Sequence, residues 1–174
     1  MAWGLWYLMM MLLGEGVPFI YYGEEIGMWG DKPDELIRTP MQWNSGNNGG
    51  FSSAKPWQAL NKDAPTRNVE RQRTEPGSLA ATYRELIALR AQHVALRRGG
   101  TVVFDTDAPS VHAFIRHTDD EWVLVVVNLG STPVTGLDLS GASSPLRGAR
   151  SLDVVAGLHR ARPRLWFNEQ GGVT

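Results

Sequence analysis

Met1 to Leu13 is an almost unbroken apolar run, Gly14-Glu15-Gly16 interrupts it, and Val17 to Tyr22 resumes with β-branched and aromatic residues before charge appears at Glu24 and Glu25. The first run predicts a buried helix and the second a buried, parallel-type strand, joined by a short connection as in half of a βαβ unit. Trp3, Trp6 and Tyr7 are then packing groups. The apolar run lacks the Lys or Arg of a signal peptide and stops short of the roughly 20 residues a membrane span needs, so neither reading fits it. From Gly27 to Glu75 the chain is rich in Gly, Pro, Asn and Ser, and Asn44-Ser45-Gly46-Asn47-Asn48-Gly49-Gly50 predicts a polar loop. Trp29, Trp43, Phe51 and Trp57 within that region argue against disorder. Ser78 is a fitting cap for an amphipathic helix carrying Leu79, Tyr83, Leu86, Ile87 and Val94, with Gly99-Gly100 as its stop. Four short β-rich runs follow, Thr101–Asp105, Val111–His117, Trp122–Asn128 and Val134–Leu139, which predict an antiparallel sheet or sandwich. The class is α+β, with residues 1–99 and 100–174 as two domains meeting at Gly99-Gly100.

The chain has 174 residues, 43% of them hydrophobic, enough for a core. A net charge of -1 provides no basic field for a polyanion, which excludes nucleic acid and acidic membranes as partners and favours neutral ligands. Without cysteine there are no disulfides and no thiolate chemistry, a composition compatible with the cytoplasm, where we expect the chain to act.

Strand ends in parallel α/β sheets carry binding and catalytic groups, so the acids after Tyr22 draw notice. Glycoside hydrolysis needs two carboxyl groups facing one bond, about 5 Å apart for retention. Neighbours on an extended chain point to opposite sides, so Glu24 and Glu25 are weak catalytic candidates and do not form a dyad. We expect one to be solvated and the other to accept from loop amides or Arg38. Arg38 and Gln42 suit hydroxyl-dense ligands and Trp43 offers a face to a pyranose ring, although the same residues also suit loop anchoring. His93, His112, His117 and His159 lack metal-ligand spacing and read as structural, with His93 closing its helix. Asp119-Asp120-Glu121 reads as a solvated hairpin turn. No metal or cofactor is expected.

The segment Gly16-Val17-Pro18-Phe19-Ile20-Tyr21-Tyr22-Gly23-Glu24-Glu25-Ile26-Gly27-Met28, with Arg38-Thr39-Pro40-Met41-Gln42-Trp43 and Arg67-Asn68-Val69-Glu70, resembles the C-terminal part of family 13 glycoside hydrolases, the α-amylase and α-glucosidase family. The resemblance is strongest to oligo-1,6-glucosidases, α-glucosidases and trehalose synthases. It implies that Met1–Leu13 is the seventh barrel helix, Val17–Tyr22 the eighth strand, Ser78–Arg98 the last helix, and the sheet the C-terminal β-domain. It also implies an α-glucan or oligosaccharide ligand, with Tyr22, Arg38, Gln42, Trp43 and Trp57 as substrate-binding residues. The family's catalytic carboxylates come from the fourth, fifth and seventh strands, and none maps onto this chain. Residues 158–174 depart from the family's closing strand. A lone apolar strand is a template for association, so residues 1–22 are expected to mediate self-association, repack on the β-domain or be disordered.

Overall fold

A computed structural model describes residues 2–137 and 139, with side chains from Tyr7 onward. The elements in chain order are α1 (Ala2–Leu13), α2 (Asp34–Ile37), α3 (Val69–Thr74), α4 (Leu79–Gln92), α5 (Val94–Arg98), β1 (Gly100–Phe104), β2 (Val111–His117) and β3 (Trp122–Asn128). Single 3-10 turns lie at Glu24–Ile26 and Asn47–Gly50. The chain forms two compact units, one of residues 1–17 with 88–174 and the other of residues 18–87, so α4 begins in the second and ends in the first. The change from helix to strand falls at Gly99-Gly100.

In the unit that holds the sheet, β1, β2 and β3 pair antiparallel in sequence order, with Phe104 opposite Ala113 and Ile115 opposite Leu124. Directly paired residues share a face, so Phe104, Ala113, Ile115 and Leu124 line one side, where Leu137 and Leu139 pack on them. Phe114, Arg116, Val123, Val125 and Val127 fall on the opposite side and are buried as well. Helix α5 packs against β2 and β3 with Ala95 and Leu96 buried. The central strand β2 therefore reads as a near-continuous buried run, Val111 and then Ala113 to Arg116.

Two arginines fix the end of α1 in this unit. Helices leave their last carbonyls without intrahelical donors. Arg90 donates to the carbonyls of Leu12 at 2.8 Å, Gly14 at 3.2 Å and Gly16 at 2.6 Å. Arg116, 1% exposed, donates to those of Leu13 at 3.3 Å, Gly99 at 2.6 Å and Gly100 at 3.3 Å. Burial lowers the pKa of both guanidiniums, and Glu15 offsets part of that for Arg116.

Three expectations about elements are corrected. Val17–Tyr22 forms no strand: the described sheet comprises β1, β2 and β3 alone, and an extended segment without a neighbour has no ladder to join. Val17 is 80% and Phe19 82% exposed. Residues 134–137 are likewise not a strand, and among the described residues the sheet is a single three-stranded layer. The single helix expected from Ser78 to Arg98 is two, because His93 takes an extended conformation between α4 and α5. Ser78 caps α4 as predicted, its Oγ accepting from the Ala81 amide at 3.2 Å. The departure at residues 158–174 and His159 lie outside the described residues.

Candidate functional site

The unit of residues 18–87 buries the polar side chains of Thr39, Gln42, Asn68 and Gln72 beside apolar Ile26, Met41, Tyr83 and Leu86. Gly23, at φ 86, ends the extended segment, and a Cβ there would lie 2.6 Å from Met28 Sδ, so glycine is needed for the chain to turn into Glu24–Ile26. Ile26 is fully buried, and its carbonyl accepts from Gln72 Nε2 at 2.8 Å. Gln72 Oε1 in turn accepts from the Ala80 amide at 3.2 Å, tying α3 to α4. Asn68 is the N-cap of α3, its Oδ1 accepting from the Arg71 amide at 2.9 Å while its Nδ2 donates to the Ala64 carbonyl at 2.9 Å. The Arg-Asn-Val-Glu motif is thus a helix start.

The two strand-end acids occupy a 3-10 turn, where successive side chains are about 120° apart instead of opposed. Glu24 Oε2 accepts from the Tyr21 amide at 3.2 Å, which is a loop amide as expected. Glu25 Oε2 is enclosed without a hydrogen-bond partner. Neither carboxylate offers the open, paired geometry of glycoside hydrolysis.

The five expected substrate-binding residues differ in what they leave free. Tyr22 donates its hydroxyl to the Thr39 carbonyl at 2.9 Å and its ring lies 4.8 Å from that of Tyr21. Burial and the neighbouring Tyr21 hold its phenol above the usual tyrosine range, against the pull of Arg38. Arg38 is exposed, with Asp34 at 3.9 Å as an ion-pair partner. Gln42 is fully buried: its Nε2 donates to the Arg67 carbonyl and its Oε1 accepts from Asn61 Nδ2 at 3.2 Å. Its amide is engaged in anchoring the loop and does not reach solvent, the alternative left open by the sequence. Trp43 is half exposed while its backbone is fastened, its N–H donating to Gly49 O at 2.8 Å and its carbonyl accepting from the Glu70 amide at 2.9 Å. Trp57 is 64% exposed.

Asn61 and Asp63, which sequence reasoning did not single out, organise this region together with Arg67. Asn61 Nδ2 contacts the Trp29 carbonyl at 2.7 Å, Thr39 Oγ1 at 3.2 Å and Gln42 Oε1 at 3.2 Å. Asp63 Oδ2 accepts from both Trp29 Nε1 at 3.1 Å and Arg67 Nε at 2.7 Å. Arg67 Nη1 reaches the Gly27 carbonyl at 3.0 Å. Arg67 belongs to a quoted motif, whereas Asn61 and Asp63 carry no signal of their own, because their contacts to Trp29 span 32 and 34 positions.

In the other unit, His93 closes α4 as expected, its N–H donating to the Leu89 carbonyl at 3.1 Å, and it also precedes α5. Its Nδ1 lies 2.6 Å from Glu121 Oε1, and Glu121 Oε2 accepts from the Ala95 amide at 2.7 Å, so the acid expected to be solvated caps α5. That amide bond, chiefly, and His93 lower the Glu121 pKa against the effect of burial. Among the described residues no group of three or more acids and histidines is placed to hold a metal, and no helix is long and apolar enough to cross a membrane.

Residues 5–99 match the family model for the α-amylase catalytic domain. The chain is 30% identical to a probable oligo-1,6-glucosidase 2 of Bacillus subtilis over 66% of this chain and 27% of that protein. It is 36% identical to the mouse amino acid transporter heavy chain SLC3A1 over 79% of this chain and 22% of the relative. The solved trehalulose synthase MutB of Pseudomonas mesoacidophila MX-45 superposes with a TM-score of 0.65 at 28% identity, covering 74% of this chain and 30% of that one. The chain therefore belongs to the α-amylase family, the family 13 glycoside hydrolases. It spans under a third of the length of each of these relatives.

Proposed function

We propose that the chain is a substrate-binding portion of an α-glucoside-acting hydrolase, engaging α-glucan or α-glucoside chains without itself supplying the hydrolytic carboxylate pair. The observation that carries this reading is Trp43, an outward-facing indole on a loop fastened at both its N–H and its carbonyl. An aromatic held in this way offers an apolar face to a sugar ring at little further entropic cost. Exposed Trp57 and Arg38 supply a second face and a fork of hydroxyl-binding donors. The names of the hydrolase relatives are consistent with an α-glucosidic ligand. The engagement of Glu24 and the enclosure of Glu25 support binding over cleavage. The absence of cysteine suits a cytoplasmic setting.

Affinity electrophoresis through soluble starch, run beside a reducing-sugar assay, tests this. Retardation of the chain, weakened by Trp43→Ala and unaccompanied by sugar release, is the expected result. Release that Glu24→Gln or Glu25→Gln abolishes would overturn the noncatalytic assignment, and free migration would overturn binding.

A second reading, self-association through residues 1–22, is favoured by the exposure of Val17 and Phe19 in a neutral, β-prone segment.

A further inference from the structure

We propose that Trp29 is a fixed stacking face for a pyranose ring, so that a neutral sugar chain crosses the indole. This rests on the glucan-binding reading above and adds to it a residue and a mode of contact.

Trp29 is 60% exposed, yet it is held at two points: Nε1 donates to Asp63 Oδ2 at 3.1 Å, and its carbonyl accepts from Asn61 Nδ2 at 2.7 Å. An exposed indole gains little from burial, and fixing it costs rotamer freedom, so folding alone gives no reason for this restraint. The restraint carries a further cost. Asp63 directs one oxygen at both Trp29 and Arg67, and leaves Oδ1 enclosed without a donor. Buried acceptors without partners are uncommon and call for a reason, and departures from local consistency concentrate at functional positions. Arg67 continues the support to the Gly27 carbonyl at 3.0 Å, and Asn61 continues it to Thr39 and Gln42. The Arg-Thr-Pro-Met-Gln-Trp segment and Trp29 are in this way set by the same side chain.

The chemistry of the remaining surface selects the ligand. With its N–H occupied by Asp63, the exposed indole offers solvent carbon surface and no free donor. The C–H face of a pyranose is apolar and electropositive, which complements that ring, while its hydroxyls stay in water at the rim. Pre-fixing the ring removes an ordering cost from binding, which is what a weak, neutral ligand requires.

Titration calorimetry of the full chain with maltotetraose provides the test. Trp29→Leu, which keeps the apolar bulk and removes the π-face, is expected to weaken binding about tenfold, and Trp29→Phe to retain it within about threefold. Asp63→Ala should weaken binding and reduce the near-ultraviolet circular dichroism of immobilised tryptophan, with the far-ultraviolet spectrum unchanged. Wild-type affinity in Trp29→Leu, where Trp43→Ala does weaken binding, would overturn the role of Trp29 and leave the glucan-binding reading standing. A wild-type chain that binds no maltotetraose would overturn both.

Discussion

Arg116 Nη1 donates to the carbonyl of Leu13 at 3.3 Å, across 103 positions of sequence. One buried guanidinium thereby joins the exit of the apolar helix to the central strand, and the same group also serves Gly99 and Gly100. Replacing it with methionine keeps the volume but strips three carbonyls of a donor. Arg116→Met is expected to lower stability by about 3 kcal/mol, and Arg116→Lys by less, because an ammonium still donates to some of these oxygens although it cannot span all three. Urea midpoints, compared at constant slope, check this.

Glu121 makes part of the stability depend on pH. Its carboxyl titrates below the ordinary glutamate range, first because of the Ala95 amide and then because of His93. A depressed folded pKa gives stability that is complete above the unfolded value and is lost as pH falls through the folded one. The melting temperature of Glu121→Gln should therefore lie furthest below wild type at neutral pH, and the gap should close in acid below the glutamate range. A gap independent of pH would contradict the assignment.

Gln42 anchors its loop from within. Gln42→Leu leaves Asn61 and the Arg67 carbonyl each short of a partner and is expected to cost about 2 kcal/mol. Thermal unfolding followed by tryptophan emission reads the loss, and glucan binding should fall with it because Trp43 is the next residue.

Asn68 caps α3 from a buried position. Asn68→Ala is expected to destabilise the chain by about 1 kcal/mol or somewhat more, since the Ala64 carbonyl also loses its donor. Hydrogen exchange at the first amides of α3 should accelerate.

Phe19 is largely exposed, so Phe19→Lys should leave stability within about 0.5 kcal/mol of wild type. If residues 1–22 mediate self-association, the same change shifts the chain to smaller species in sedimentation velocity. An unchanged distribution rejects that surface.

The legible parts of the fold were those set by local pattern. Apolar periodicity and turn residues located α1, β2 and β3, and a hydroxyl before an amphipathic run located the start of α4. The illegible parts depend on partners remote in sequence. Val17–Tyr22 has the composition of a strand, but pairing is a property of two segments. The break at His93 carries no Gly or Pro to mark it, since the acid that supports the new helix comes from the turn before β3. At the candidate site, Trp43 and Trp57 are exposed, which the composition of the loop region does not tell apart from packing. Gln42 was ambiguous because an amide suits a sugar hydroxyl and a buried carbonyl equally well, and only the positions of Asn61 and Arg67 decide between them.

The bend from Thr118 to Glu121 is closed by its own bonds, Thr118 N–H to Glu121 O at 2.8 Å and Glu121 N–H to Thr118 Oγ1 at 3.1 Å, while its acid reaches an amide 26 positions upstream. It works as a gauge block. One inserted residue would swing the carboxylate off α5 and uncap it, so a surface corner of the kind that ordinarily accepts insertions freely has its length dictated by a helix elsewhere in the chain.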